Sequence, residues 1–238
     1  MGVINISQLP TLFKYGRRIH AEALVNEGSL LLGTLWDYQD ADKHGGGVLD
    51  PKEGIAQALR TPPEYLRDYR GKDEFLRSLE NKDGSDWRAV GDDCIVDLRT
   101  NNIVRNISFS NAERCEDAYL YCLSDVADAD VMKRMSDRYD SIVRIHDPRA
   151  FFKTLLAHLI TTKAVAGGVP IRCHYTDKPY PIKEVSGVVI AGTKAQTYAW
   201  QQEVRFAFIA HRDPSLRHIP LARLPVTIPE LRRYCSIE

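Results

Sequence analysis

The segment TYAWQQEVRFAF, residues 197–208, alternates in the manner of a β-strand and carries an amide and a carboxylate two positions apart. Residues i and i+2 of a strand project to the same face. The pattern therefore predicts a strand over 198–210 on which Gln201, Glu203 and Arg205 share one face. Folding does not require an amide beside a carboxylate on a strand, so Gln201 and Glu203 mark a candidate functional site.

The opening of the chain has the pattern of a strand, a helix and a second strand. The predicted bounds are 12–15, 18–27 and 29–35. In the helix, Ile19, Ala23 and Leu24 are predicted to face inward, and Gly28 gives the stop signal.

Residues 37–90 have a different composition. The first part, 37–54, is polar and contains three consecutive glycines, and 55–90 is highly charged, with a short helix predicted near 55–59. Such a segment cannot bury enough apolar surface to join a core. We therefore predict one domain over residues 1–238, with a mobile loop and an inserted segment at 37–90.

The rest of the chain alternates between short strands and a few helices. Predicted strands cover 94–98, 102–109, 119–124, 141–145, 170–175 and 182–191, and predicted helices cover 128–139, 148–162 and 229–234. Residues 94–98 and 102–109 are expected to pair as a hairpin. Strands outnumber helices and no regular βαβ repeat appears, which favours an α+β fold with a mixed, mostly antiparallel sheet.

Composition narrows the class of protein. The formal net charge is zero, so total charge gives no argument for binding nucleic acid or a membrane surface. No apolar run is long enough to span a bilayer, and no secretory signal is seen. The five cysteines form no C-x-x-C pair and no His or Cys has metal-ligand spacing, which predicts free thiols in a cytoplasmic protein without a metal.

The carboxylate of Glu203 suggests chemistry on a sugar. Cleavage of a nicotinamide–ribose bond places positive charge on the ribose, and a fixed carboxylate stabilises that charge and accepts a hydrogen bond from a ribose hydroxyl. The alternative is a surface strand on which Glu203 simply pairs with Arg205, two residues along on the same face.

Other side chains could complete a ligand site. Tyr15, with Lys14 beside it, ends the first predicted strand and can both stack and donate a hydrogen bond. Tyr38 follows the second strand and could stack on a ring, and His20 lies in the first helix. For each of these residues the alternative is an ordinary structural role, as a half-buried strand tyrosine or a solvent-facing histidine.

Several segments, in order, resemble an uncharacterised bacterial domain family. They are LFKYGRRIHAEALVNEGSLLLGTLWDYQD (12–40), DPKEG (50–54), YLYCLSDVADADVMKRMSDRYDSIVRI (119–145), CHYTD (173–177) and TYAWQQEVRF (197–206). Members open with a Tyr-Lys-Tyr-like strand and close with an aromatic residue followed by Glu-x-Glu and Arg, where this chain has Gln201. That pattern is similar to the ADP-ribosyltransferase fold.

The resemblance implies a site for NAD. Tyr15 or Lys14 would match the polar residue of the first strand, Tyr38 or Thr34 the middle position, and Gln201 with Glu203 the late motif. The implied activity is transfer of ADP-ribose from NAD to a macromolecule, either RNA, DNA or protein, in a bacterial toxin or phage-defence effector with a possible antitoxin partner. The alternatives are an NAD glycohydrolase and a non-catalytic binding or regulatory module.

Overall fold

The structure is a computed structural model that describes residues 3–39, 55–60, 87–89, 94–97, 102–105, 109–178, 180–181, 185–217 and 219–238. Its contacts divide the chain into two compact units. The first unit comprises Met1–Ile55, Arg114–Asp177 and Ser186–Glu238, and the second comprises Ala56–Glu113 and Lys178–Val185. Most of the predicted loop and insertion, at 40–54 and 61–86, lies outside the described residues.

Strands dominate the described residues. The strands are β1 (Leu12–Gly16), β2 (Ser29–Thr34), β3 (Ile55–Arg60), β4 (Trp87–Ala89), β5 (Cys94–Asp97), β6 (Asn102–Arg105), β7 (Phe109–Arg114), β8 (Tyr119–Ser124), β9 (Ser141–Ile145), β10 (Val165–Arg172), β11 (His174–Tyr175), β12 (Tyr180–Pro181), β13 (Thr193–Lys194), β14 (Glu203–Ala210), β15 (Leu224–Thr227) and β16 (Cys235–Ile237). The α-helices are α1 (Arg18–Glu27), α2 (Ala129–Met135), α3 (Pro148–Thr161) and α4 (Gly187–Ala191). Short 3-10 helices cover Ile6–Gln8, Asp37–Gln39, Gln196–Gln201, Pro214–Leu216 and Pro229–Tyr234. The predicted mixed α+β class with few helices is confirmed.

An eight-stranded antiparallel sheet forms the first unit. Its main path runs β10-β14-β8-β1-β9-β16, and β2 pairs with both β8 and β15. Strand β8 meets β14 along its whole length, while β1 and β2 share its other edge. Phe13 of β1 lies opposite Ser124, but Gly33 of β2 lies opposite Leu120. Because the two strands join β8 at opposite ends, the sheet splits between them, and α1 connects the two branches.

One side of this sheet is covered by α3. The helix buries an apolar stripe that includes Phe151 and Phe152. Phe152 packs edge-on against Phe206 of β14, with ring centroids 4.9 Å apart, and Phe151 stacks on Tyr121 of β8 at 5.8 Å. These contacts bury the face of β14 that carries its aromatic residues, and Glu203 and Arg205, which are also buried, project to the other side.

Helix α1 ends where the sequence predicts, at Gly28. The residue has φ of 73° and its N–H donates to the Leu24 carbonyl at 2.9 Å. A Cβ there would lie 1.9 Å from the Ile228 carbonyl oxygen, so a side chain is excluded as well as strained. The predicted inward position of Ile19 is wrong, since its side chain is 64% exposed. The buried stripe starts at Ala21, about 200° around the helix from Ile19.

Three predicted elements are corrected. Residues 55–59 form part of the strand β3 and not a helix. Within the predicted strand 182–191, residues 187–191 form α4, whose first turn is capped by the Ser186 hydroxyl accepting from the Val189 N–H. The predicted helix 128–139 is shorter because Asp128 caps it and it ends at Met135. Short apolar runs fit a strand and a buried helix equally well, which accounts for the first two errors.

The described part of the second unit contains two three-stranded sheets, with orders β12-β3-β7 and β4-β5-β6. Strands β5 and β6 pair antiparallel with Cys94 opposite Arg105, which confirms the predicted hairpin. Strands β12 and β3 pair in parallel, with Tyr180 opposite Ala58. Among the described residues of both units, no helix is long and apolar enough to cross a bilayer.

Candidate functional site

A small pocket of about 60 Å³ lies in the first unit beside the start of β14, where Glu203 and Arg205 border it. Five of the seven residues that the sequence predicts for the site border it. They are Lys14, Tyr15, Tyr38, Gln201 and Glu203. Small-molecule sites usually enclose about 300–1,000 Å³. The pocket can therefore receive one functional group of a ligand and not a whole nucleotide.

Gln201 reaches this pocket by a route that the sequence did not predict. It ends the 3-10 helix Gln196–Gln201, and the next residue, Gln202, has the left-handed conformation with φ of 44°. The strand begins only at Glu203, so the prediction of a strand over 198–210 is wrong in its first five residues. The Gln201 backbone carbonyl accepts from the Ser124 hydroxyl at 2.9 Å, which fixes the turn onto the end of β8.

A buried ammonium group joins the two predicted catalytic side chains. Lys194 of β13 donates from Nζ to Gln201 Oε1 at 2.7 Å and to Glu203 Oε2 at 2.8 Å. An ammonium has donors only, so the oxygen of the Gln201 amide must face it and the NH₂ group faces away. Lys194 therefore links the Gln201 and Glu203 side chains, which the sequence predicted to lie together on one face of a strand.

Glu203 is held on both sides by positive charge. Its other oxygen, Oε1, accepts from Arg205 Nε at 2.7 Å, and the side chains of Glu203, Arg205 and Lys194 are at most 7% exposed. Burial by itself raises the pKa of the Glu203 carboxyl, but the charges and hydrogen bonds of Arg205 and Lys194 outweigh it and hold that pKa well below its ordinary value. The three side chains carry a net charge of +1, and Glu203 stays ionised at neutral pH.

The stability that Glu203 contributes should depend on pH in one direction. A folded-state pKa below the ordinary 4.5 means that the contribution is complete above about pH 4.5 and is lost as the pH falls below it. Urea unfolding of the wild type and of Glu203→Gln, at neutral pH and at several values below 4.5, should show the difference in unfolding free energy narrowing on acidification. Glu22→Gln, which removes an exposed partner of Arg18, is the control and should show little change. A difference for Glu203 that stays constant would contradict the assignment.

The first strand supplies Lys14 and Tyr15. Lys14 Nζ donates to the Cys122 carbonyl at 2.9 Å and lies 5.0 Å from the centre of the Tyr121 ring. Burial lowers the pKa of Lys14. The Tyr15 hydroxyl donates to the Val126 carbonyl at 2.5 Å, so its ring borders the pocket while its hydroxyl is used by the fold. Tyr15 can therefore stack on a ligand, and Lys14 keeps ammonium N–H bonds for one.

For the middle position the structure favours Tyr38 over Thr34. Thr34 is 1% exposed and accepts from the Asp37 N–H at 3.1 Å, and it borders neither cavity. Tyr38 lies across β2, where a Cβ on Gly33 would come within 2.8 Å of its hydroxyl oxygen. The glycine thus makes room for the Tyr38 ring.

A larger cavity of about 660 Å³ adjoins the small pocket, and both lie within the first unit. It lies at the split between β1 and β2, and Lys14, Tyr15, Tyr38 and Tyr139 border both spaces. His20, the remaining residue predicted from the sequence, borders only the larger cavity. The volume is within the range of small-molecule sites. A ligand in the cavity could therefore extend one group toward Glu203.

Three further residues belong to this site although the sequence gave no reason to choose them. Lys194 comes from a strand of two residues, too short to show a periodicity, and Tyr139 follows a helix that ends earlier than predicted. Cys122 also borders the small pocket, but burial raises the pKa of its thiol to about 12. The thiol is therefore protonated at neutral pH and is not an activated nucleophile.

Comparison of the chain with models of known protein families finds no match, and comparisons with curated proteins and with solved structures find no similar protein. The resemblance to ADP-ribosyltransferases therefore stays a prediction that rests on the order of the sequence motifs.

Proposed function

We propose that the chain is an NAD-dependent ADP-ribosyltransferase that modifies a macromolecule. One observation carries the proposal: residues chosen from the sequence for NAD chemistry, among them Tyr15, Tyr38, Gln201 and Glu203, come from separate parts of the chain and border one pocket. That pocket adjoins a cavity large enough for a nucleotide. A set of unrelated structural residues would not be expected to converge in this way.

The chemistry follows from the positions of the charges. The bond between the ribose C1′ and the nicotinamide ring nitrogen breaks, its electron pair leaves with neutral nicotinamide, and positive charge develops on the ribose. A nucleophile of the acceptor then bonds to C1′ and releases its proton to solvent. Glu203 would stabilise the charged ribose and accept a hydrogen bond from a ribose hydroxyl, since each carboxylate oxygen has a second lone pair beyond the one that Arg205 or Lys194 uses.

The same ion pairs favour a second candidate, a non-catalytic binding module. With Arg205 and Lys194 bonded to its two oxygens, Glu203 is already neutralised and could be purely structural. In that case the cavity would bind a ligand without cleaving it. The NAD glycohydrolase, with water as the acceptor, is the third outcome that an assay must separate.

Incubation with labelled NAD separates the three functions. The purified chain is mixed with NAD labelled in its ADP-ribose half, together with bacterial RNA, DNA or protein in separate reactions. We expect label to become covalently attached to one class of acceptor and nicotinamide to be released. NAD labelled in the nicotinamide ring is the matched control and should label no macromolecule. Free ADP-ribose as the only product would indicate a glycohydrolase, and intact NAD would indicate the binding module.

A further inference from the structure

Two arginines, Arg17 and Arg138, border the larger cavity, and both side chains are exposed. Among the residues that the structure describes, neither guanidinium forms an ion pair, in contrast to Arg18 with Glu22 and Arg223 with Asp37. Exposed arginines are common in folded proteins, so exposure alone does not indicate a binding site. The two share a cavity, and both lack a carboxylate partner there.

The backbone holds these two arginines on adjoining segments. Arg17 directly follows β1, and Arg138 precedes β9, which pairs with β1 so that Gly16 lies opposite Ser141. The Asp140 N–H donates to the Gly16 carbonyl at 3.1 Å, and the Arg18 N–H donates to Asp140 Oδ1 at 2.5 Å. The backbone next to each arginine is thereby anchored by strand pairing and by hydrogen bonds at the edge of the cavity.

The charges around the cavity are unbalanced. Four lysine and arginine side chains border it against two carboxylates, and one of those carboxylates, Asp37, is bonded to Arg223. The Arg18 N–H at the start of α1 already donates to Asp140. An anion in the cavity would therefore be bound by side chains and not by this backbone N–H. Guanidinium groups present planar pairs of donors that match the oxygens of phosphate.

We propose that Arg17 and Arg138 form a subsite for the diphosphate of a nucleotide. The inference deepens the proposed function, on which it rests for naming NAD as the nucleotide. With the diphosphate at this subsite, Tyr15 and Tyr38 line the way toward the pocket that contains Glu203. The arginines bind and orient the ligand, and they take no part in bond cleavage.

The test is binding of ADP to the purified full chain by isothermal titration calorimetry, with inorganic pyrophosphate and adenosine as further probes. Wild type should bind ADP and pyrophosphate. Arg17→Gln and Arg138→Gln should each weaken ADP about tenfold, the scale of one lost hydrogen bond to a charged group, and leave adenosine unchanged. Arg18→Gln is the matched control. It removes the same charge at the next residue along the chain, but the Arg18 side chain does not border the cavity, so ADP binding should be unchanged.

Circular dichroism of each variant checks that folding is retained. The proposal is overturned if wild type binds neither ADP nor pyrophosphate, or if Arg17→Gln and Arg138→Gln bind ADP as tightly as wild type. It is also overturned if Arg18→Gln weakens ADP as much as they do, because the effect would then be total charge alone. These readouts require no turnover, so a chain that binds ADP through the two arginines but leaves NAD intact would refute the transferase and retain the subsite.

Discussion

Glu203→Gln should lower turnover of NAD by about 10²-fold or more, the scale found when a group that stabilises transition-state charge is removed. The amide has nearly the shape of the carboxylate but no negative charge, so it cannot offset the positive charge on the ribose. The measurement is release of nicotinamide under saturating NAD, with ADP binding as a check that the cavity is still formed. ADP binding should change by no more than about twofold, because Glu203 borders the small pocket and not the larger cavity.

Folding must be separated from catalysis in that experiment. Glu203→Gln leaves Lys194 and Arg205 buried without a negative partner, and breaking a buried pair commonly costs about 3–5 kcal/mol. The double variant Glu203→Gln/Lys194→Met restores the net charge of +1 that the three side chains have in the wild type. We expect it to recover stability and not turnover. Recovery of NAD turnover along with stability would show that Glu203 acts only as a structural ion-pair partner.

Arg205→Met should lower the free energy of unfolding by about 3–5 kcal/mol. Arg205 is 1% exposed, donates to Glu203 at 2.7 Å and also donates from a terminal guanidinium nitrogen to the Ala191 carbonyl of α4. Its removal leaves Glu203 with one cation and the Ala191 oxygen without this donor. A loss of this size is a large fraction of the 5–15 kcal/mol that stabilises a typical protein, and urea unfolding at neutral pH measures it.

Arg18→Met is the matched control for that comparison. Arg18 and Glu22 form an ion pair of 2.8 Å, nearly the same length, but their side chains are 57% and 48% exposed. An exposed pair of this spacing on a helix is worth only about 0.3–0.5 kcal/mol. Equal losses in the two variants would mean that burial does not determine the strength of the interaction between Arg205 and Glu203.

Periodicity in the sequence was enough to predict the elements of the fold whose pattern is long or well bounded. Helix α1 has the predicted bounds, as do the central strands β8 and β9, because each shows a clear apolar pattern between turn or cap residues. The failures share a cause. In 182–191 and near 55–59 the apolar runs are too short to distinguish a helix from a strand, so pairing with distant chain segments decides the outcome.

The candidate site was predicted in part. Tyr15, Tyr38 and Glu203 were chosen from residue chemistry, and they border one pocket. The link between Gln201 and Glu203 could not be predicted, because it depends on the left-handed turn at Gln202 and on Lys194, which reaches both side chains from another strand. A buried lysine has no signature in a single sequence, since the same letter on a surface strand would look identical.

The split of the sheet has a consequence for ligand entry. Since β1 and β2 are attached to opposite ends of β8, the space between them is part of the resting architecture. A ligand can enter there without breaking the backbone hydrogen bonds between paired strands. Binding then requires little rearrangement of the protein. Under that condition a few well-placed charged groups are enough for affinity.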